Sequence, residues 1–571
     1  MTESSNYRNL NGIHILRLTG NYRERAKQHG ILLRDQIKNG PLVPLAKKNE
    51  WLIRRAGGPF DFKPLQDLVV WMYHNWVVRK LEKALPNRQH HIMAELSKES
   101  GLSYQTVLRA MFQADGLMLL SRISMFKHLF KNFPASELPG CSSSVVHGAL
   151  TANGKMLVSR NQDYPVVGPW EQNTTVAYHY PEEQDEIPHV TVASAGLHTS
   201  GLTAMNREGI TVAAHAHFGK EVSFNGLPIF VVGDLIASKA KTLGQAVDLA
   251  RKAPRNANWT LVISSAKEKN AMALEMTPYK LEPRYLHDGF LTHTNFFHGK
   301  LHESEALICG GRHHDDHARL CRMKQVILKN KGAITPQILG QMLGDHTDPW
   351  TGEERVVGNT ISVMSTIKSV VFSPEDQEFF ISGRGQSPMG LGPFYQLNAT
   401  DFWEHPFDKA PATPAFQGKL PATPHLLEAI GRYREAYRCW HMDSHRADYK
   451  EKTLSHLEAA YMLAPNDPHV ALQTGFVAMK CRHFAKAATY LEKTMAMKLA
   501  PYLAEVRDLF LARAYDNLNH RDKALNLYKK LISHQDPRIH KQAKKGLNKP
   551  FAGNQVAKLM LDMQFVDPIA Y

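Results

Sequence analysis

The stretch ELPGCSSSVVHGALTANGKMLVSRNQDY, residues 137–164, reads as a β-hairpin with a glycine and a cysteine at its mouth. Small and β-branched residues follow Cys141. Asn153-Gly154 supplies the chemistry of a tight turn, and a second run, MLVSRNQDY, returns toward the start. The pattern changes at Pro139: helical periodicity precedes it and strand-like runs follow it.

Upstream, residues 20–135 read as mostly helical. NYRERAKQHGILLRDQI places Ile31, Leu32, Leu33 and Ile37 among charges. FKPLQDLVVWMYHNWVVRKLEKAL repeats Leu68, Trp71, Met72, Trp76 and Leu81 at three- to five-residue steps, which predicts a core-facing stripe. Ser103 is placed to cap a further helix. Downstream, from 141 to about 400, short β-rich runs alternate with turns: TTVAYHY, HVTVASA, GITVAAHAHF, NWTLVISSA, AMALEMT, SVVFSP and EFFISG. Helical segments are predicted at 233–253, 315–330 and 335–345. Strand clusters interrupted by helices predict a layered α/β or α+β domain rather than one doubly wound sheet.

A Pro- and Ala-rich linker with PATP twice (404–424) leads into an all-helical tail, 425–571. There HLEAAYMLAPNDP, YLEKTMAMKLAP and NLYKKLISHQDP align on Leu457, Leu491 and Leu527, spaced 34 and 36 residues apart. Ala487 and Ala524 lie where paired helices press together, and prolines Pro501 and Pro537 close the units. This period resembles tetratricopeptide repeats, whose helix pairs bury their apolar faces only by stacking. Such a region docks on a catalytic domain or binds a protein partner.

Bulk properties bound the answer. The 571 residues exceed one ordinary core. With 43% hydrophobic and 22% charged residues the chain is of ordinary globular composition, and no apolar run approaches the ~18 residues of a membrane span. No secretory signal is read at the start. Five scattered cysteines, at 141, 309, 321, 439 and 481, form neither a zinc pattern nor a disulfide framework, which suits a reducing compartment and predicts a cytoplasmic protein. The net charge of +15 is spread along the chain without a nucleic-acid-binding motif, so a solvated basic surface is expected and no nucleic-acid partner. GGRHHDDH (310–317) sets His313 and His317 one helical turn apart with Asp316 between. A capped helix start accounts for it as well as a metal does, and no metal or cofactor is expected.

Taken alone, Cys141 is either a small buried packing residue or a nucleophile. As a nucleophile at a chain start it would carry its own base, because a free α-amine has a pKa of ~7.7–8.0 and can take the thiol proton. That arrangement requires cutting after Gly140, whose missing side chain leaves room for the sulfur to approach the carbonyl. An uncut enzyme would instead need a separate base such as His147.

The segment GCSSSVVHGALTANGKMLVSRNQDY resembles the processing site of the acyl-coenzyme A:6-aminopenicillanate acyltransferase-like family, related to choloylglycine and penicillin V hydrolases among the N-terminal-nucleophile hydrolases. The matching residues are Gly140-Cys141-Ser142, Asn153-Gly154 and Arg160-Asn161-Gln162-Asp163-Tyr164. Further similar segments follow in family order: Gln28-His29-Gly30, ESGLSYQTVL, Asn206 with Gly209, Thr294-Asn295 and the helix at Arg319.

The resemblance implies an α+β fold: an αββα N-terminal-nucleophile hydrolase sandwich (141–403), a helical N-terminal prosegment (1–140) and the all-α repeat domain. It implies an autoprocessing amidohydrolase or acyltransferase acting on a small acyl amide or acyl-CoA through a Cys141 thioester. Asp163 would orient the new amine and Arg160 would favour the thiolate. The Asn295 amide would donate to the oxyanion, and Arg319 would support the charge network. In VAAHAHFG the place of a second oxyanion or substrate contact falls near Ala216, which leaves His215 or His217 as the substitute. The contrasting expectation is a non-catalytic repeat scaffold carrying an inactive hydrolase-like domain.

Overall fold

Alternating side chains of the β-rich runs give each strand two apolar faces, and in the computed structural model these faces are met on one side by a second sheet and on the other by helices. The structure describes residues 6–55, 62–122, 140–306, 310–399, 413–444, 446–533, 537–559 and 561–566. The break at Pro139, Cys309 and the first half of the 404–424 linker lie outside them.

Among the described residues one sheet has nine strands. In spatial order these are β1 (Tyr7–Leu10), β2 (Ile13–Gly20), β5 (Thr174–Pro181), β6 (His189–Ser194), β7 (Thr203–Asn206), β8 (Ile210–Ala216), β9 (Trp259–Ser265), β10 (Asn270–Met276) and β11 (Leu281–Tyr285). The other has seven: β12 (Phe290–His293), β3 (Gly140–Val146), β4 (Leu157–Asp163), β13 (Thr366–Ser373), β14 (Glu378–Ser382), β15 (Pro393–Asn398) and β16 (Phe416–Gln417). Neighbours are antiparallel except β2 and β5, which pair in parallel. Val145, Val158 and Val370 of the second sheet share one buried cluster with Val176, Val192 and Val262 of the first. Fully burying each such side chain stabilises the fold by roughly 1.5–3 kcal/mol. Helices Ile229–Lys239 and Leu243–Lys252 cover the outer face of the first sheet, and helices Gly310–Lys329 and Pro336–Leu343 cover that of the second.

All seven β-rich runs named from the sequence between 174 and 383 are strands. The β3–β4 hairpin also forms, but through a longer connection than a two-residue turn. A 3-10 turn at Gly148–Leu150 precedes the Asn153-Gly154 turn, where Gly154 has φ +74°.

Residues 1–140 are not helical throughout. β1 and β2 enter the first sheet before helix Tyr22–Leu32 begins behind an Asn21–Glu24 capping box. The Ser103 hydroxyl caps Tyr104–Met111 by accepting from Thr106 N at 3.1 Å. The stripe expected on 62–85 turns outward: Leu68, Trp71 and Trp76 are 51%, 61% and 48% exposed. Val69, Tyr73 and Val77 take the core face instead, in four-residue steps that lead to Leu81, the member of the expected stripe that is buried. A π-helical turn at Tyr73–Val78 rotates the register between the two halves of this helix.

Among the described residues seven α-helices follow from Pro424, each packed on the next. Leu457, Leu491, Ala487 and Ala524 are fully buried, and Leu527 is half-buried. Pro501 and Pro537 open the following helices rather than closing the preceding ones. Their missing N–H falls where a helix has no intrahelical acceptor to offer. The tail joins the sheets through Val356 N, which donates to Asp467 Oδ2 (2.6 Å), and through His469 Nδ1, which donates to the Val357 carbonyl (2.8 Å).

Gly201, just before β7, has no room for a side chain: a Cβ there would sit 1.9 Å from the backbone of Gly233 and Asp234. Gly201→Ala is therefore expected to destabilise the protein by about 3 kcal/mol or more, the upper end of overpacking effects, read as a fall in the urea midpoint or loss of soluble protein.

Candidate active site

Four elements converge on Cys141. It is the second residue of β3, buried at 2% exposure, and pairs in the ladder with Gln162. Arg160 and Asp163 come from neighbouring β4, opposite Ser143 and Gly140 respectively. Asn295 lies two residues beyond β12, and Arg319 reaches in from the outer helix Gly310–Lys329.

Arg160 is buried and spans the gap between the sheets. Its Nη2 donates to Cys141 Sγ at 3.5 Å and to the Ala214 carbonyl at 2.7 Å. Its Nε donates to Thr203 Oγ1 at 2.7 Å, and its Nη1 faces His215 Nε2 at 3.4 Å. Among the described residues no carboxylate lies within ion-pair distance of it. Burial pulls the Arg160 pKa down. Burial also pushes the Cys141 thiol up, against the opposing pull of Arg160, so the thiol is protonated.

Arg319 holds the backbone of the same residue. Its Nη1 donates to the Cys141 carbonyl at 2.7 Å and to Ser142 Oγ at 3.0 Å, and its Nη2 to Asn295 Oδ1 at 3.3 Å. Its Nε pairs with Asp315 at 2.8 Å and its Nη2 with Asp316, so two carboxylates on its own helix hold the guanidinium charged. Asn295 Oδ1 accepts the Cys141 N–H at 2.7 Å, and its Nδ2 donates to the Ala216 carbonyl at 3.1 Å. Asp163 Oδ1 accepts from Thr366 Oγ1 at 2.7 Å, whereas its Oδ2 is buried with no hydrogen-bond partner. Burial raises Asp163 to about 6 despite Arg319.

Residues 150–382 match the model of the acyl-coenzyme A:6-aminopenicillanic acid acyl-transferase family. Arg160, Asp163, His215, His217, Asn295 and Arg319 lie within this acyl-transferase-like stretch; Gly140 and Cys141 lie just ahead of it. Protein dcd1B of Dictyostelium discoideum is 23% identical over 279 residues, 47% of this chain and 51% of that protein. The chain thus spans about half the length of that relative.

Within the acyl-transferase-like stretch His215 and His217 share one face of β8, both packing their rings on His293. His215 Nε2 hydrogen-bonds Ser143 Oγ at 2.9 Å beside Arg160, while His217 is held by Thr260 Oγ1 at 2.6 Å. Burial holds both well below the usual histidine range, so both are neutral. His147 follows the far end of β3, roughly 20 Å from Cys141 at the ordinary strand rise. Asp316 serves Arg319 and Arg312 instead of joining the rings of His313 and His317.

A different trio, Glu275, His293 and His298, offers ligand atoms within 4.8 Å of one another. Arg284 already stands there, 3.2 Å from His293 Nδ1 and 4.0 Å from Glu275, and its positive charge opposes a metal ion. Sequence reading did not identify Thr203, Thr366 or Ser143 as members of the site. Nothing local distinguishes them from other hydroxyls. The Asp315 and Asp316 pair was legible, since both stand one helical turn before Arg319.

Arg319→Met would strand Asp315 and Asp316 without their main cation. It is expected to destabilise the fold by about 3–5 kcal/mol in urea unfolding, more than a surface Arg→Met control.

Proposed function

We propose that the chain is a cysteine N-terminal-nucleophile enzyme that cuts itself between Gly140 and Cys141 and then transfers acyl groups from a linear amide or thioester to water or an amine. The acyl-transferase family match over 150–382 supports an acyl-transfer or hydrolase class. The two facing sheets with helices on both outer faces are compatible with an αββα sandwich, and the succession of packed helix pairs with tetratricopeptide-like repeats. Among the described residues no helix is long and apolar enough to cross a membrane, and the four described cysteines are free thiols, as a cytoplasmic setting would keep them.

The observation that carries this reading is the unpartnered Asp163 Oδ2, which faces Gly140 across the ladder beside the bond to be cut. A buried carboxylate oxygen without a donor is costly, and a newly formed α-amine on Cys141 would supply one. In the cut, Cys141 Sγ attacks the Gly140 carbonyl carbon and the Cys141 nitrogen leaves with a proton. Water then hydrolyses the thioester, releasing a carboxylate on Gly140. In turnover the α-amine takes the thiol proton and passes it to the leaving amine. Arg160 stabilises the sulfur as an anion, and Arg319 and the Asn295 carbonyl hold Cys141 in place. The Asn295 amide nitrogen, now on the Ala216 carbonyl, is assigned to the oxyanion. The acceptor, water or amine, decides between hydrolase and transferase.

Intact-mass measurement of purified protein should give two pieces, the second beginning at Cys141, while Cys141→Ala stays whole and turns over no N-acyl amide. A wild-type chain that remains whole and inactive would leave the helical tail as a scaffold. Since Asp163 must be ionised to accept from the amine, turnover should fall as pH drops through about 6, the value to which burial raises it. Asp163→Asn should be inactive across the same range, as read in a pH–rate profile.

A further inference from the structure

The tail helices hold a piece of their own chain that brings Gln564 beside Gly140. Leu561–Val566 is buried along its whole length. Tyr433 Oη donates to the Met563 carbonyl at 2.8 Å, and Gln473 Nε2 donates to the Asp562 carbonyl at 3.1 Å. Asp562 Oδ1 accepts from the backbone N–H of both Gln564 (2.8 Å) and Phe565 (3.0 Å), a local turn that sets where residue 564 points. On the sheet side, Ser365 Oγ donates to Gln564 Oε1. Ser365 directly precedes Thr366, the residue that holds Asp163.

These contacts orient the carboxamide. With Oε1 held by Ser365, the amide NH2 is turned the other way. Gln564 Nε2 lies 3.4 Å from the point a Cβ on Gly140 would occupy, and Asp163 Oδ2 lies 3.3 Å from that same point. Asp163 Oδ2 has no partner, and among the described residues Gln564 Nε2 makes no hydrogen bond either. A bare donor and a bare acceptor therefore flank a residue whose side chain is a single hydrogen. In the uncut chain Gly140 is the acyl group attached to Cys141 nitrogen. Once it is released, the space it leaves lies next to the sulfur and is lined by this pair.

We propose that Gln564 is a substrate-positioning residue, whose amide NH2 binds a hydrogen-bond acceptor carried close to the α-carbon of the acyl group. The inference rests on the reading of Cys141 as exposed by cleavage. It names the substrate class more narrowly: an acyl group bearing a nearby neutral carbonyl, such as the carboxamide of a short dicarboxylic diamide, in preference to a plain hydrocarbon acyl chain, since the ionised Asp163 beside it disfavours a second carboxylate. A buried donor discriminates strongly against an analogue that leaves it unpaired.

The test uses two neutral anilides of equal acyl carbon count, butyranilide and the anilide of succinamic acid (the succinyl probe), with full-length protein. Intact mass first establishes cutting at Gly140, and melting temperature establishes folding. Cut wild-type enzyme should favour the succinyl probe in kcat/KM. Gln564→Met removes the donor, and Gln564→Glu keeps the side-chain shape and the acceptor for Ser365 while replacing the NH2 with oxygen. Both should lower the succinyl-to-butyryl preference at least tenfold, mainly through KM. Cut wild-type enzyme without the succinyl preference, or cut variants that keep it, would overturn the role of Gln564 while leaving the nucleophile intact. Folded variants that both fail to cut would show that Gln564 serves processing rather than substrate, which also overturns it. Wild-type protein that is never cut removes the underlying reading and this inference together.

Discussion

A guanidinium buried between two β-sheets without a carboxylate partner is the constraint around which this molecule is arranged. Taking Arg160 out of water carries a penalty of several kcal/mol even after relaxation, and its surroundings offset it with neutral acceptors: a threonine hydroxyl, a backbone carbonyl and a neutral histidine. The remaining neighbour is the sulfur of Cys141. Of these four, only the sulfur can become an anion without breaking the fold. Arg160 favours the thiolate, but burial of the thiol outweighs the cations beside it.

The second guanidinium works differently. Arg319 is surplus in negative partners, with Asp315 and Asp316 both on its own helix, and it spends its remaining donors on the Cys141 carbonyl, Ser142 and Asn295. A charge neutralised locally can be rigid, so this arginine holds the Cys141 backbone while Arg160 faces the Cys141 sulfur. The helical tail extends the same positioning from further away. Its docking contacts at Asp467 and His469 hold the loop at Val356 and Val357, and its buried segment 561–566 brings Gln564 to the residue in front of Cys141.

Legibility followed the range of the interaction. Strands such as His189–Ser194 and Trp259–Ser265 were readable because β-branched runs bounded by turns are local signals, as was the Ser103 cap. Cys141, Arg160 and Asp163 were named together through the family resemblance of one hairpin, whose register sets Cys141 opposite Gln162, Arg160 opposite Ser143 and Asp163 opposite Gly140. The outward turn of Leu68, Trp71 and Trp76 was not readable, because a π-helical turn shifts the face between the halves of one helix and either stripe is apolar enough to serve. β1 and β2 were passed over for a related reason: β2 pairs in parallel with β5, more than 150 residues distant, and β1 joins the sheet only through β2.

The residue order alone determined the chemical inventory of this protein: one cysteine behind a glycine at the mouth of a hairpin, a basic and an acidic residue on the returning strand, and a tail built on a helix-pair period. These follow from spacing along the backbone, where 2-residue and 3.6-residue repeats decide which side chains share a face. Tertiary structure alone decided which acceptors the two arginines found, that Asp163 kept one oxygen bare, and that a glutamine more than 400 residues downstream came to lie against Gly140. Those outcomes depend on how two sheets and a helical tail pack. Packing is a sum over distant surfaces that no short window of sequence contains.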